Sequence, residues 1–344
     1  MTRRAYHGTW NICEEATVAE LPIALTVSDY EKMNALSAGS RRAIAVVSVL
    51  LLGACAANDP DCIAQSLSVE STQIILAHED GRKTQVDIWS PSPAGNYPLM
   101  LFSHGAFSAP ERYDVLLEAI ASSGYVVAAP LHIDSELLVT GEQPEHHEVW
   151  TTRKQDMLFL TGNTAAMQAK LSDISIVNPE EGFLAAGHSY GALIAQVLAG
   201  AVAIGDSALP EASLRPDAVI AFSPPGPLPG FVDIASWQSV SIPQLVLTGT
   251  ADILPGFIDD WRDHATPYEQ AQPGDQWLWV GTGVDHYFGN IIGRKTLDVA
   301  PQAQQFDDAI AVMRRFISQY GPAVASCDGA LTTFSGEISR LEKR

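Results

Sequence analysis

Residues 182–194 read GFLAAGHSYGALI, and the reading of this stretch decides the fold. An apolar run leads into a serine with a glycine two positions away on each side, and a helix-like run follows. If the first run is a strand and the second a helix, Ser189 stands on a sharp turn with its Oγ pushed out above a sheet. Gly187 and Gly191 then sit where a Cβ would collide with the neighbouring strand and helix. The helix start would turn its unbonded N–H groups and partial positive charge toward any oxyanion formed at that serine. The competing reading is a serine that merely caps a helix in a loop of small residues. What the rest of the chain supplies decides between them.

Outward from this turn, strands and helices alternate. The segment STQIILAHEDGRKTQVDIWS (71–90) reads as two extended runs around Asp80-Gly81, a hairpin. PLMLFS (98–103) and YVVAAP (125–130) are short apolar strands, and the spacing between them predicts an amphipathic helix over 111–124. A loop rich in His and Glu leads to a helix over 152–171. The strand GFLAAG and a small-residue helix over 192–203 come next. DAVIAFS (217–223), QLVLTGT (244–250) and WLWV (277–280) are further strands, and 301–321 form a long last helix. Strands separated by helices mean a mostly parallel sheet covered on both faces. The expected fold class is therefore α/β: one domain with a leading antiparallel hairpin.

The 344 residues are 47% hydrophobic and only 17% charged, yet the net charge is −20. Residues 1–54 carry five basic and five acidic side chains, so the whole excess lies beyond them. A body this acidic repels phosphate backbones and excludes nucleic acid as a partner class, whereas a neutral or cationic substrate meets no such barrier.

A serine hydroxyl needs a base to become a nucleophile, and the base needs an orienting acid. Reading forward, the strand 244–250 ends at Ala251-Asp252, and His286 stands in the loop after 277–280. Both fall at the C-terminal edge of the strands, where open α/β sheets assemble their sites. Ser189, Asp252 and His286 are the expected nucleophile, acid and base. Asp259, Asp260 and His264 read as the solvated face of a short helix. Asp285 adjoins His286 too closely in sequence to orient its ring. His146 and His147 read as a solvated loop without ligand-spaced partners, so no metal is expected. The loop after 98–103 reads Ser103-His104-Gly105-Ala106-Phe107. The backbone amides of Ala106 and Tyr190 are the expected oxyanion donors, with His104 bracing the loop.

The runs LFSHGAFSAPERYDVLLEAIASSGYVVAAPLHIDS, GHSYGA, LTGTADILPGFIDDW and GVDHYFGNIIGR, in this order, resemble the α/β-hydrolase superfamily. The similarity is nearest to the branch of platelet-activating-factor acetylhydrolases and predicted dienelactone hydrolases, with bacterial cutinase-like polyester hydrolases close by. It spans about residues 95–320. The resemblance implies nucleophile, acid and base at Ser189, Asp252 and His286, oxyanion amides at Ala106 and Tyr190, and no metal or dissociable cofactor. Two positions depart from the pattern. Dienelactone hydrolases proper use a cysteine nucleophile, so their lactone is not the implied substrate. The branch often carries an acidic residue before the histidine that ends its PDH strand, where Leu131 precedes His132 here.

The N-terminal region reads as an address. Arg41-Arg42 precedes AIAVVSVLLLGAC, an apolar run of about ten to twelve residues, half of what crosses a bilayer. Leu52-Gly53-Ala54-Cys55 resembles a bacterial lipoprotein signal, which implies acylation of Cys55 and a lipid anchor in a membrane. By resemblance to bacterial lipoprotein sorting, Ala56 after that cysteine implies the outer membrane over retention at the inner one. The expected organisation is an upstream mis-start or dispensable extension over 1–32, a signal over 33–54 starting at Met33, a linker over 55–65 and a catalytic domain over 66–344. The other reading of the run is a buried helix with Cys55 as a core thiol. Cys13 leaves with the leader, so Cys62 and Cys327 are expected to form a disulfide in an oxidising compartment.

Phe107, Tyr190, Trp237, Tyr287 and Phe288, with Trp150, are the aromatic groups expected around a pocket for an apolar acyl or aryl group; Trp237 and Trp150 read equally well as core, and the pattern does not say which of Tyr287 and Phe288 faces the pocket. The function expected is a serine carboxylesterase at the bacterial cell envelope, acting on small or polymeric esters. An acyltransferase on the same residues and a catalytically silent ligand-binding lipoprotein are the alternatives. Oligomeric state is not legible.

Overall fold

The computed structural model describes residues 66–210, 212–293, 299–322 and 330–344. The expected leader, linker, lipidated Cys55 and Cys62–Cys327 disulfide lie outside the described residues. No helix among the described residues is long and apolar enough to cross a membrane.

Strands β1 (Val69–Ala77) and β2 (Lys83–Pro91) form the antiparallel hairpin announced by Asp80-Gly81. Gly81 takes φ +87 in that turn, a backbone that a side chain would strain. The remaining strands are β3 (Gly95–Tyr97), β4 (Leu99–Ser103), β5 (Val126–Pro130), β6 (Ile174–Ile176), β7 (Phe183–His188), β8 (Ala218–Phe222), β9 (Gln244–Gly249), β10 (Gln276–Gly281), β11 (Phe334–Ser335) and β12 (Ser339–Lys343). Ten of them make one sheet in the order β1-β2-β5-β4-β7-β8-β9-β10-β12-β11, while β3 and β6 pair separately. From β5 across to β10 all pairings are parallel. Each strand of this central block is buried along its whole length, as a sheet covered on both faces requires.

The side-chain alternation of β4 shows how the layers are filled. Met100 and Phe102 join a core with helices α1 (Asp114–Ala121) and α6 (Ala303–Tyr320). Leu99 and Leu101 turn to the opposite face, which α2 (His146–Thr161) and α4 (Tyr190–Leu198) cover. Two short helices, α3 (Thr164–Gln168) and α5 (Thr266–Gln270), complete the set.

Two elements differ from the sequence expectation. The helix expected over 152–171 starts at His146 and is broken at Gly162 before α3, so His146 and His147 begin a helix and are not loop residues. The C-terminal β11–β12 hairpin carries no strand pattern of its own. Only Ser339 and Leu341 of β12 are buried, between charged neighbours, and the strand exists because β10 offers it an edge to pair with.

Candidate active site

Ser189 follows β7 and precedes α4 with φ +55 and ψ −123, a left-handed backbone rare outside glycine. The chain can turn this sharply only because its flanks are glycines. A Cβ on Gly187 would run into the Gly191 carbonyl, and one on Gly191 into the carbonyls of Ser103 and His104. Helix α4 thereby packs its first turn directly on the loop after β4.

Asp252 follows β9 and His286 follows β10, and the fold brings them together across 34 residues. His286 Nδ1 lies 2.7 Å from Asp252 Oδ1, so Nδ1 donates and Nε2 is left as the acceptor. Thr248 Oγ1 donates to Asp252 Oδ2 at 2.8 Å. Ser189 and His286 line one cavity of about 300 Å³ together with Gly105, Ala106 and Phe107 from the β4 loop. Tyr190 opens α4, where first-turn amides have no acceptor within the helix.

A buried relay joins the three loops. The Gly105 amide donates to Tyr113 Oη at 3.0 Å, Tyr113 Oη donates to His188 Nδ1 at 2.9 Å, and His188 Nε2 donates to the His286 carbonyl at 2.8 Å. Burial, with the neighbouring His286, pushes the His188 imidazole down to about 3, so this ring is neutral and keeps the tautomer the relay needs. His104 is also buried: its Nε2 accepts the His132 amide at 3.1 Å and its Nδ1 donates to the Gly105 carbonyl at 2.8 Å. It braces the loop and does not line the cavity.

His264 contradicts its expected solvation. The ring is fully buried, with Nδ1 2.7 Å from the Pro224 carbonyl and Nε2 3.0 Å from Asp252 Oδ1. The second contact is an ion pair off the N–H axis and not an aligned hydrogen bond. Each nitrogen faces an oxygen that can only accept, so the doubly protonated ring suits this position. Burial alone would lower the His264 pKa, but the Asp252 carboxylate overrides it and the net shift is upward. Burial likewise favours neutral Asp252, yet His286 and His264 hold its carboxyl well below the usual carboxylate range. Asp252, His264 and His286 present ligand-type atoms within 4.8 Å of one another and are the described residues that could hold a metal ion. Their contacts with one another already satisfy the charges.

Two pocket expectations are corrected. Trp237 is fully buried and donates from Nε1 to Gln196 Oε1 at 2.9 Å, within the core under α4. Phe288 is fully buried against Phe222, Trp279 and Phe306 on the other face of the sheet. Trp150 also points away, its Nε1 bonded to Asp206. An aromatic residue near a motif serves the core as readily as the pocket, and only packing separates the two. Phe107 and Tyr287 do line the cavity, joined by Leu254 and Phe257 from the loop after Asp252. Those two had no periodic signal, since a loop's apolar residues follow no repeat.

A family model described as Chlorophyllase matches residues 64–228. Among solved structures, the propionate-bound esterase Est2 of the planctomycete Thermogutta terrifontis is 16% identical, with 75% of this chain and 97% of that one covered and a TM-score of 0.50. The esterase Pf2001 of Pyrococcus furiosus is 15% identical over 74% and 91%, with a TM-score of 0.46. No curated protein matches. At 16% identity the likeness to Est2 is one of fold, and it agrees with the mostly parallel sheet and the helices on both faces described above. The fold of the chain is that of an α/β hydrolase.

Proposed function

We propose that the protein is a serine carboxylesterase that works through an acyl-enzyme at Ser189. The observation that carries this reading is the convergence of a strained serine and an Asp-bound histidine on one cavity, from three separate loops. Ser189 Oγ bonds the ester carbonyl carbon while His286 Nε2 takes its proton. Asp252 keeps the Nδ1 hydrogen in place and stabilises the imidazolium. The Ala106 and Tyr190 amides receive the charge on the carbonyl oxygen. Collapse breaks the bond to the alcohol, which leaves with the proton from His286. Water then repeats the sequence and releases the acid.

The cavity volume and its lining of Phe107, Leu254, Phe257 and Tyr287 suit a short or apolar acyl group. Phe107 and Phe257 are exposed at its mouth, which leaves room for a small ester or an accessible polymer chain. The chain around Cys55 supports export and lipid anchoring at the cell envelope. Nothing among the described residues favours acyl transfer or a silent binding role over hydrolysis. The test is a fluorophosphonate probe with mass-spectrometric mapping, alongside p-nitrophenyl butyrate turnover by Ser189→Ala. Labelling at Ser189 and a fall in kcat of about 10³-fold or more are expected. A folded protein that reacts elsewhere or not at all overturns the reading.

A further inference from the structure

Arg153 lies in the middle of α2 and is fully buried, a costly place for a charge without a specific task. All of its donor groups are used. Nε and Nη2 each sit 2.9 Å from one oxygen of Asp134, a bidentate pair. Nη1 donates to the His104 carbonyl at 2.6 Å, and Nη2 also reaches the Gly105 carbonyl at 3.1 Å. Asp134 in turn accepts the Phe107 amide at 3.2 Å. The guanidinium carbon lies 4.8 Å from the centroid of the Tyr190 ring. One cation thus touches both candidate oxyanion residues or their immediate neighbours.

The Gly105 carbonyl and the Ala106 N–H belong to one rigid trans peptide and point in opposite directions. Whatever grips that carbonyl therefore aims that amide. The His104 imidazole and the Ser108 amide also bond the Gly105 oxygen, but only Arg153 brings a charge, which polarises the peptide and strengthens its N–H as a donor. We propose that Arg153 is a positioning residue for the oxyanion site: from behind the loop it holds the Gly105 peptide so that the Ala106 amide faces the cavity, and it seats Tyr190 beside it. This rests on the esterase reading of Ser189. Burial alone would raise the Asp134 carboxyl, but Arg153 more than offsets it, so the pair stays ionised at neutral pH.

The test compares wild type with Arg153→Lys, a point charge that lacks the planar fork, on an oxygen ester and its thionoester. The sulfur anion gains little from oxyanion donors, so the oxygen-to-sulfur rate ratio reports their alignment and not general integrity. The expected result is a loss of about 100-fold in kcat for the oxygen ester, KM within about threefold, and a ratio falling toward one. The double variant Arg153→Met/Asp134→Leu removes the whole ion pair, an exchange that buried pairs commonly tolerate, and it should show the same collapse of the ratio. A folded variant of either kind that keeps the wild-type ratio, or that loses both rates equally, overturns the proposal. Fluorophosphonate labelling of Ser189 in wild type is read separately, so failure of the esterase reading is distinguishable from failure of this one.

Discussion

Replacing His264 by phenylalanine keeps a ring of similar size in a fully buried slot and removes both of its polar contacts. The Pro224 carbonyl loses a donor, and Asp252 loses one of its two imidazole neighbours. Breaking a buried ion pair costs about 3–5 kcal/mol, and a stranded acceptor about 1–3 kcal/mol. Asp252 keeps His286 and the Thr248 hydroxyl, so the total should fall near the low end, about 3 kcal/mol at pH 6. For a domain of this size that is on the order of 6–10 °C in Tm. The pH dependence carries the test. His264 is raised in the folded state, because Asp252, with Asp263 beyond it, outweighs burial and the nearby His286 ring. A raised histidine contributes stability that is fully present below its unfolded value of about 6.5 and is lost as pH rises through the folded value. Urea unfolding of both proteins between pH 5.5 and 9 should therefore show the largest gap at the acid end and a narrowing gap toward alkaline pH. A gap that stays level, or widens with pH, refutes the charged, stabilising role assigned to His264.

Other consequences follow from the same geometry. Asp252→Asn should cut kcat by about 10⁴-fold while the fold survives in circular dichroism, because the amide cannot hold the His286 tautomer; an unaffected rate would move the acid elsewhere. Gly191→Ala should push α4 off the Ser103–His104 backbone, costing about 3 kcal/mol and about 100-fold in kcat, whereas Gly141→Ala, with open space around its Cβ and no left-handed backbone, should leave kcat unchanged. Trp237→Phe should lower stability by about 1–3 kcal/mol with KM intact, and Phe107→Ala should raise KM with little change in unfolding midpoint, since only the second lines the cavity. Prolonged dialysis against EDTA should leave ester turnover unchanged; loss restored by zinc would make Asp252, His264 and His286 a metal site.

Much of the architecture could be read along the chain because it rests on local patterns. Short apolar runs separated by amphipathic helices announce a covered parallel sheet, and the glycines around Ser189 announce a turn that tolerates no side chain. Asp252 and His286 were legible for the same reason, each standing just past a strand whose end the pattern marks. Arg153, and Asp156 three residues on, whose buried carboxylate pairs with His132 and Arg82, left a fainter trace. They interrupt an apolar stripe of Val149, Trp150, Met157 and Leu160 on α2, and charges on a core-facing stripe ask for buried partners.

The sequence by itself determined the α/β class, the strand order's leading hairpin, and which serine, carboxylate and imidazole stand at strand ends. Only the tertiary structure decided that His264 turns inward to share Asp252, that Trp237 and Phe288 serve the core, and that residues 339–343 become a strand against β10. The physical reason is range. Backbone turns and periodic faces are set by near neighbours, whereas the state of a lone histidine, aromatic ring or mixed polar segment is set by groups tens to hundreds of residues away that meet it only in the folded chain.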